Sequence, residues 1–417
     1  MATAPMRAAI VTVGSELTQG LRVDTNTAEI ARALVVRGFS VTEAVSVGDS
    51  VELLAEQISR LVARCDLVVT TGGLGPTHDD ITRQAASRAL GVPLVVDEAL
   101  ARWLQPIVAR HSVPEAAAQV LVQAEILEGS RVVPAQTGTA PGLIALADTG
   151  CVVALLPGPP AEMRPMLETL CDDYPVVRAQ APELGAVGMT ESDAQHTVSQ
   201  AIEPYDGVGF TVLARPGDVR ILLTDEGAGR EVLDAAADAA ARALGSACYT
   251  RSGRSLAHEV IAAAGSAGLS VALAESCTGG MVAAALTDVA GASDAFVGGA
   301  VTYSNEAKAS VLGVDPETIE THGAVSEPCV LEMALGAKRV FGADIAVAVS
   351  GVAGPDGGTP HKPVGTVWFG IAMPSGEVVA VHKEYPPTSR SAVRLRSTST
   401  ALDLLRRAAM GTVESEG

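Results

Sequence analysis

The segment ALAESCTGGMVAAAL, residues 272–286, sets Glu275, Ser276, Cys277, Thr278, Gly279 and Gly280 between an apolar run and a helix of small residues. A strand that breaks into a helix through such a turn presents polar side chains and unpaired backbone N–H groups at one corner of a sheet. Two candidate nucleophiles are adjacent there. A serine hydroxyl needs a base and a thiol needs to lose its proton; either would use N–H groups from Cys277 to Gly280 to hold an oxyanion. The plainer reading is a helix cap. No histidine is close in sequence, since His258, His322, His361 and His382 are scattered. VTYSNEAKASVLGV (301–314) supplies Lys308, a base if burial lowers its pKa, and Tyr303 just before it. With a helix starting near Asn305, both point toward Ser276; otherwise Asn305 is a cap, Tyr303 half-buried packing and Lys308 solvated surface. VAVSGVAGPDGGTPHKPVGTVWFG (347–370) adds a long Gly/Pro-rich loop between two strands, with Ser350 and Gly351 at its start and Lys362 on it. A loop of that length inside a compact unit is usually functional.

A second cluster lies earlier. TTGGLGPTHDDIT (70–82) follows a strand and opens a helix, with Gly72, Gly73 and Gly75 allowing close backbone approach and Thr77, Asp79 and Asp80 following. The two aspartates either cap that helix or hold a hard cation against a phosphate. Other strand ends carry GSE (14–16), DTNT (24–27) and GD (48–49), so Glu16, Asn26, Asp49 and Asp80 would converge on one ligand crevice at the carboxyl ends of an open sheet. LPGPPAEM (156–163) adds a strand-end loop stiffened by prolines.

The elements that must position these residues read as α/β. Residues 6–170 alternate buried-strand and helical patterns, the rhythm of a mostly parallel sheet covered on both faces. Residues 171–252 read as helix, hairpin and helix, a small α+β middle domain, with TRSGRS (250–255) as its flexible end. Residues 253–417 read as a second α/β domain, with strands near 269–274, 295–303, 344–350, 365–372 and 378–385 and helices near 256–267, 278–289, 327–341 and 390–409. The architecture expected is two α/β sandwich domains joined by a small middle domain. With 417 residues, 48% hydrophobic and only 3% aromatic, the cores must be built of small aliphatics. The net charge of -19 and the lack of a Lys/Arg run argue against nucleic acid and anionic lipid as partners. Six scattered cysteines with no CxxC spacing predict neither disulfides nor structural zinc. With no signal peptide or membrane-length apolar run, a cytoplasmic protein is expected, and apolar faces on both α/β units predict a homodimer.

The motifs VGSELTQG, VSVGD, TGGLGPTHDD, GTAPG and LLPGPPAEM resemble, in that order, the N-terminal domain of the CinA family, related to the molybdopterin-binding MoaB/MogA fold. AESCTGG, YSNEAK, HGAVSE, SGVAGPDGGT and KPVGTV resemble the CinA C-terminal domain, which is similar to the nicotinamide-nucleotide amidase PncC. The resemblance implies hydrolysis of nicotinamide mononucleotide to nicotinate mononucleotide and ammonia. It implies Ser276 as nucleophile, Lys308 as base and Tyr303 as partner, no cofactor for the amidase, and substrate contacts from Cys277, Thr278, Gly279, Gly280, Ser350, Gly351, Lys362 and Arg390. Arg390 lies in TSR where the family has GDR. For the N-terminal half it implies cleavage of the ADP-ribose pyrophosphate with a divalent cation such as Mg²⁺ at Asp49 and Asp80. The family's asparagine-rich stretch is replaced here by HSVPEAAAQVLVQA (111–124), so a nucleotide- or pterin-binding module without turnover is the alternative. The family name also suggests a competence or DNA-damage factor.

Overall fold

Runs of consecutive apolar residues become strands buried on both faces, and in this chain they build two separate parallel-centred sheets. The computed structural model describes residues 6–110, 113–177 and 182–413. They divide into two compact units, Met1–Gln180 and Ala181–Gly417.

In the first unit a six-stranded sheet runs, in spatial order, Phe39–Val47, Met6–Val13, Leu67–Thr71, Val152–Leu156, Gly142–Leu146 and Arg131–Val133. The first four strands are parallel, Gly142–Leu146 runs antiparallel to them, and Arg131–Val133 runs antiparallel to Gly142–Leu146. Alternate residues face opposite layers: Ala9 and Val11 pack with the helix Val51–Val62, while Ala8 and Ile10 pack with Asn26–Val35 and Pro160–Cys171. Thr12 stands opposite Thr71, and Thr71 opposite Leu156, so the parallel strands end side by side.

The second unit holds two sheets. The predicted middle segment forms an antiparallel sheet in the order Val208–Arg215, Asp218–Asp225, Glu183–Ala186, Cys248–Thr250. Its core joins Leu184, Ile221 and Leu223 to Val198 and Ala236 on the helices Glu191–Ile202 and Arg230–Leu244. The other sheet runs Phe296–Val301, Val271–Glu275, Ile345–Gly351, Thr366–Ala372, Val378–Glu384, with the first three strands parallel. Its two faces differ in size. Val271, Leu273, Val347 and Val349 meet the helices Leu256–Ala267 and Arg390–Ala409, whereas Ala272, Ala274, Ala346 and Ala348 meet Glu327–Phe341. Each fully buried Leu or Val contributes about 1.5–3 kcal/mol, so the large-residue face carries most of the hydrophobic stabilisation and the alanine face lets a helix lie close.

The strands and helices expected from 255 onward appear within a few residues of their predicted ends. The helix Asn305–Leu312 is capped by Ser304, whose hydroxyl accepts the Ala307 N–H, and not by Asn305. No helix among the described residues is long and apolar enough to cross a membrane.

Candidate functional site

The carboxyl ends of three parallel strands meet in the C-terminal sheet. Glu275 stands opposite Val301 on one side and Val349 on the other. Ser276 follows directly, its N–H held by Val349 O at 3.0 Å, and Thr302 N donates to Glu275 O at 2.8 Å. The turn then reverses through Gly279 and Gly280, whose φ values of 59° and 96° are strained for any side-chain-bearing residue.

Lys308 is brought to this corner by helical spacing. It lies four residues before Leu312, and these two are the buried positions of the helix Asn305–Leu312. The side chain is 1% exposed. Its Nζ lies 3.1 Å from Ser276 Oγ, 2.8 Å from Thr302 O and 3.4 Å from Tyr303 O. Burial pushes its pKa below the ordinary lysine value. A neutral amine has two N–H groups and one lone pair. A charged Lys308 donates to all three oxygens; once it is neutral, the two carbonyls take its N–H groups and the lone pair faces the Ser276 hydroxyl. The solvated-surface alternative for Lys308 is therefore not what the fold does.

Cys277 points the other way, into the core with Leu273, Val282 and Val393. Burial raises its thiol to about 11, so at neutral pH it is not a thiolate. Thr278 is fully buried, with an Oγ1 that finds no partner among the described residues. Glu275, to which the sequence assigns no role, and Arg394, which it does not single out, both act on this turn. Glu275 is 1% exposed, and its carboxylate accepts the N–H groups of Gly280, Val282 and Ala283 at 2.9, 3.1 and 2.9 Å. Gly279 N donates to Ser276 O. The expectation that N–H groups as far as Gly280 serve an oxyanion is thus corrected. The helix start is already filled by Glu275, which leaves Cys277 and Thr278 as the turn's N–H groups without a carbonyl or carboxylate partner among the described residues. Arg394 donates to the carbonyls of Cys277 at 3.1 Å and Thr278 at 2.7 Å. The only sequence trace of Glu275 was its place one residue before the serine, at the end of an apolar run. Arg394 left none, because it is 117 residues from Cys277.

The remaining predicted residues divide. Tyr303 is 61% exposed, not half-buried, and its phenol accepts from Arg390 at 2.9 Å; no hydrogen bond joins that phenol to Ser276 or Lys308. Arg390 also donates to Gly354 O at 2.7 Å, tying the long loop to Tyr303. Ser350 donates to Ala324 O and Lys362 Nζ to His322 O, each at 2.7 Å, so both fasten the 322–327 turn. Gly351 ends its strand opposite Val367.

In the first unit the aligned strand ends form a crevice of about 350 Å³, lined by Glu16, Asn26, Gly72, Gly73, Gly75 and Asp80 together with Asp24, Glu162, Gln123 and Pro157–Pro160. Gly72 admits no Cβ, which would lie 2.3 Å from Val13 O. Asn26 Nδ2 donates to Thr71 Oγ1 at 2.9 Å and Gly158 O at 2.8 Å, so its Oδ1 is the free atom. The aspartates do not cap the next helix, whose cap position is Ile81. Asp80 instead closes a local turn, accepting the Thr77 N–H and hydroxyl at 2.8 and 2.6 Å. Asp79, held below the usual carboxylate range by Thr77, and Thr77 itself do not line the crevice. Nor does Asp49, whose carboxylate accepts the Ser15 N–H at 3.0 Å. Its strand end is therefore spent on the neighbouring turn, and the expected Asp49–Asp80 pair does not face the crevice together. Arg83, 2% exposed and not foreseen, fastens the glycine loop through Leu74 O and Gly75 O at 2.7 and 3.0 Å. Residues 111 and 112 of the stretch that departs from the family pattern lie outside the described residues.

Residues 253–409 match the family model described as the CinA C-terminal domain, and residues 9–179 match the one described as a probable molybdopterin binding domain. A CinA-like protein of Thermotoga neapolitana is 37% identical over 403 residues, covering 96% of this chain and 98% of that protein. A CinA-like protein of Akkermansia muciniphila is 39% identical over 416 residues, with the same two coverages. Among solved structures, the competence/damage inducible protein CihA from Agrobacterium tumefaciens is 45% identical, covers 36% of this chain and 91% of its own, and superposes with a TM-score of 0.35.

Proposed function

The chain belongs to the CinA family, and we propose that its C-terminal unit hydrolyses the carboxamide of nicotinamide mononucleotide, giving nicotinate mononucleotide and ammonia. The observation that carries this reading is the buried Lys308 amine, lowered in pKa and 3.1 Å from Ser276 Oγ. Neutral Lys308 takes the serine proton as Oγ attacks the carboxamide carbon. The carbonyl oxygen becomes an oxyanion facing the Cys277 and Thr278 N–H groups, and Arg394 holds those residues' carbonyls back. As the C–N bond breaks, the Lys308 ammonium returns its proton to the departing nitrogen, and ammonia leaves an acyl-serine. A water, deprotonated by Lys308, then cleaves the ester and restores Ser276. Tyr303 and Arg390 are exposed and hydrogen-bonded to each other next to Lys308, and the guanidinium suits the nucleotide's phosphate. The test is ammonia release from nicotinamide mononucleotide by the full chain. Turnover that Ser276→Ala abolishes supports the reading, and equal turnover in that variant overturns it.

For the N-terminal crevice we propose a nucleoside diphosphate ligand of the ADP-ribose class, cleaved with a divalent cation. The crevice sets four carboxylates, Glu16, Asp24, Asp80 and Glu162, against one arginine, Arg22, so an anionic diphosphate enters only with a cation. Burial raises the Glu162 carboxyl, which relieves part of this charge. Among the described residues no three His, Cys, Asp or Glu side chains form a metal cage. A cation would be shared by Asp80 and Glu16 with the ligand's own phosphates, the arrangement Mg²⁺ favours. It would neutralise the diphosphate.

A further inference from the structure

We propose that Gln123 reads the hydrogen-bonding edge of a heterocyclic base in the N-terminal crevice. This rests on the reading of that crevice as a nucleotide site and names the part of the ligand that the chain recognises. Gln123 ends the helix Pro114–Val122, and its own N–H is satisfied by Val120 O at 3.2 Å. Its chain neighbours Val120 and Ala124 pack with Leu104 in a small apolar cluster. The Gln123 side chain is fully buried and lines the crevice, yet neither Oε1 nor Nε2 has a hydrogen-bond partner among the described residues.

Orphaned buried polar groups are rare in native proteins and each costs stability, so two on one side chain call for a partner that the described residues do not supply. The pairing of one donor with one acceptor identifies that partner. Asn26 in the same crevice is pinned by two acceptors and offers a lone oxygen, which one hydroxyl or amine can satisfy. Gln123 offers a donor and an acceptor side by side. A phosphate has only acceptors and would satisfy Nε2 alone; a cation would satisfy Oε1 alone and face the Nε2 donor. A planar base with an adjacent donor and acceptor satisfies both atoms, as adenine does through its exocyclic amine and a ring nitrogen and as a pterin does through its lactam.

The test is calorimetric titration of the full chain with ADP-ribose, 6-hydroxymethylpterin and ribose 5-phosphate, with Mg²⁺ present throughout, in wild type and in Gln123→Met. The thioether has similar length and no orphaned groups, so the variant should melt at the wild-type temperature or above. Its affinity for the base-bearing ligand should fall about 10–100-fold, the worth of one bidentate base contact, with ribose 5-phosphate unchanged. If ADP-ribose is the ligand that responds, the base is an adenine; if the pterin responds, it is a lactam. Equal affinity of wild type and variant for both overturns the proposal. So does an equal loss for ribose 5-phosphate, or a wild type that binds neither base-bearing ligand more tightly than ribose 5-phosphate. If Gln123→Met melts several degrees lower, the same comparison is made in Gln123→Asn, which keeps the amide but withdraws it by one methylene, and the same outcomes decide. Tight binding of ADP-ribose without its hydrolysis would sink the pyrophosphatase reading and leave the Gln123 contact standing.

Discussion

Replacing Lys308 with methionine separates its chemistry from its packing. The amine is 1% exposed and has three oxygen neighbours, of which Ser276 Oγ is the reacting one and the Thr302 and Tyr303 carbonyls are the orienting ones. Methionine fills nearly the same space but removes the base, so kcat for ammonia release should fall on the order of 10⁴-fold, as when one member of a nucleophile–base unit is deleted. Two carbonyls lose their donor, at a cost of about 1–3 kcal/mol for a buried orphan, partly offset because no amine need be desolvated. The pH dependence follows from the lowered pKa. Lys308 must be neutral to act, so wild-type kcat rises with pH and is half-maximal below the ordinary lysine value of about 10.4. Between the folded and unfolded pKa values of Lys308 the unfolded chain binds more protons at this group, so its own contribution to stability rises with pH through that window, against the falling contribution of the buried thiols. In Lys308→Met the kcat slope should vanish, and the stability of wild type relative to the variant should rise with pH through that window. The assay is ammonia release at saturating substrate from pH 5 to about 11, with thermal melts at each pH. A folded variant within about tenfold of wild type, or a wild-type midpoint at or above the ordinary lysine value, would refute the assignment of Lys308 as base.

Cys277→Ala should retain turnover within about tenfold, since its thiol is raised to about 11 and only the backbone N–H of this residue serves the oxyanion; a dead variant beside an active Ser276→Ala would make the site a cysteine amidase. Arg394→Met frees the Cys277 and Thr278 carbonyls and should lower kcat about 10–100-fold with KM little changed, because the oxyanion donors lose their fixed direction; a change confined to KM would place Arg394 in substrate binding instead. Asp80→Ala should abolish cation-dependent ADP-ribose cleavage and leave ammonia release intact, and unchanged cleavage would remove Asp80 from the cation site.

The sequence by itself determined the elements and the order of the motifs. Unbroken apolar runs such as Ile345–Val349 can only be central strands, and a polar, glycine-bearing turn after Val271–Glu275 can only sit at a sheet edge. That was enough to bring Ser276 and the Tyr303–Lys308 segment to one corner, because parallel neighbours end on the same side. Which side chains meet there was decided by tertiary structure. Whether Lys308 is solvated or buried turns on which face of an eight-residue helix meets the sheet, and a lysine at a buried position has no periodic signature of its own. Tyr303, two residues after a strand end, turned outward to Arg390. Arg394 reaches the serine turn from a helix more than a hundred residues away, and Glu275 fills the helix start that the sequence left open for an anion. In the first unit Asp49 and Asp80 both follow strands of one sheet, yet Asp49 is taken by the Ser15 N–H while Asp80 faces the crevice. Strand order is written in hydrophobic pattern, which is local. The partner of a polar side chain is chosen by whichever backbone groups folding leaves unsatisfied nearby, and those are known only once the chain has closed on itself.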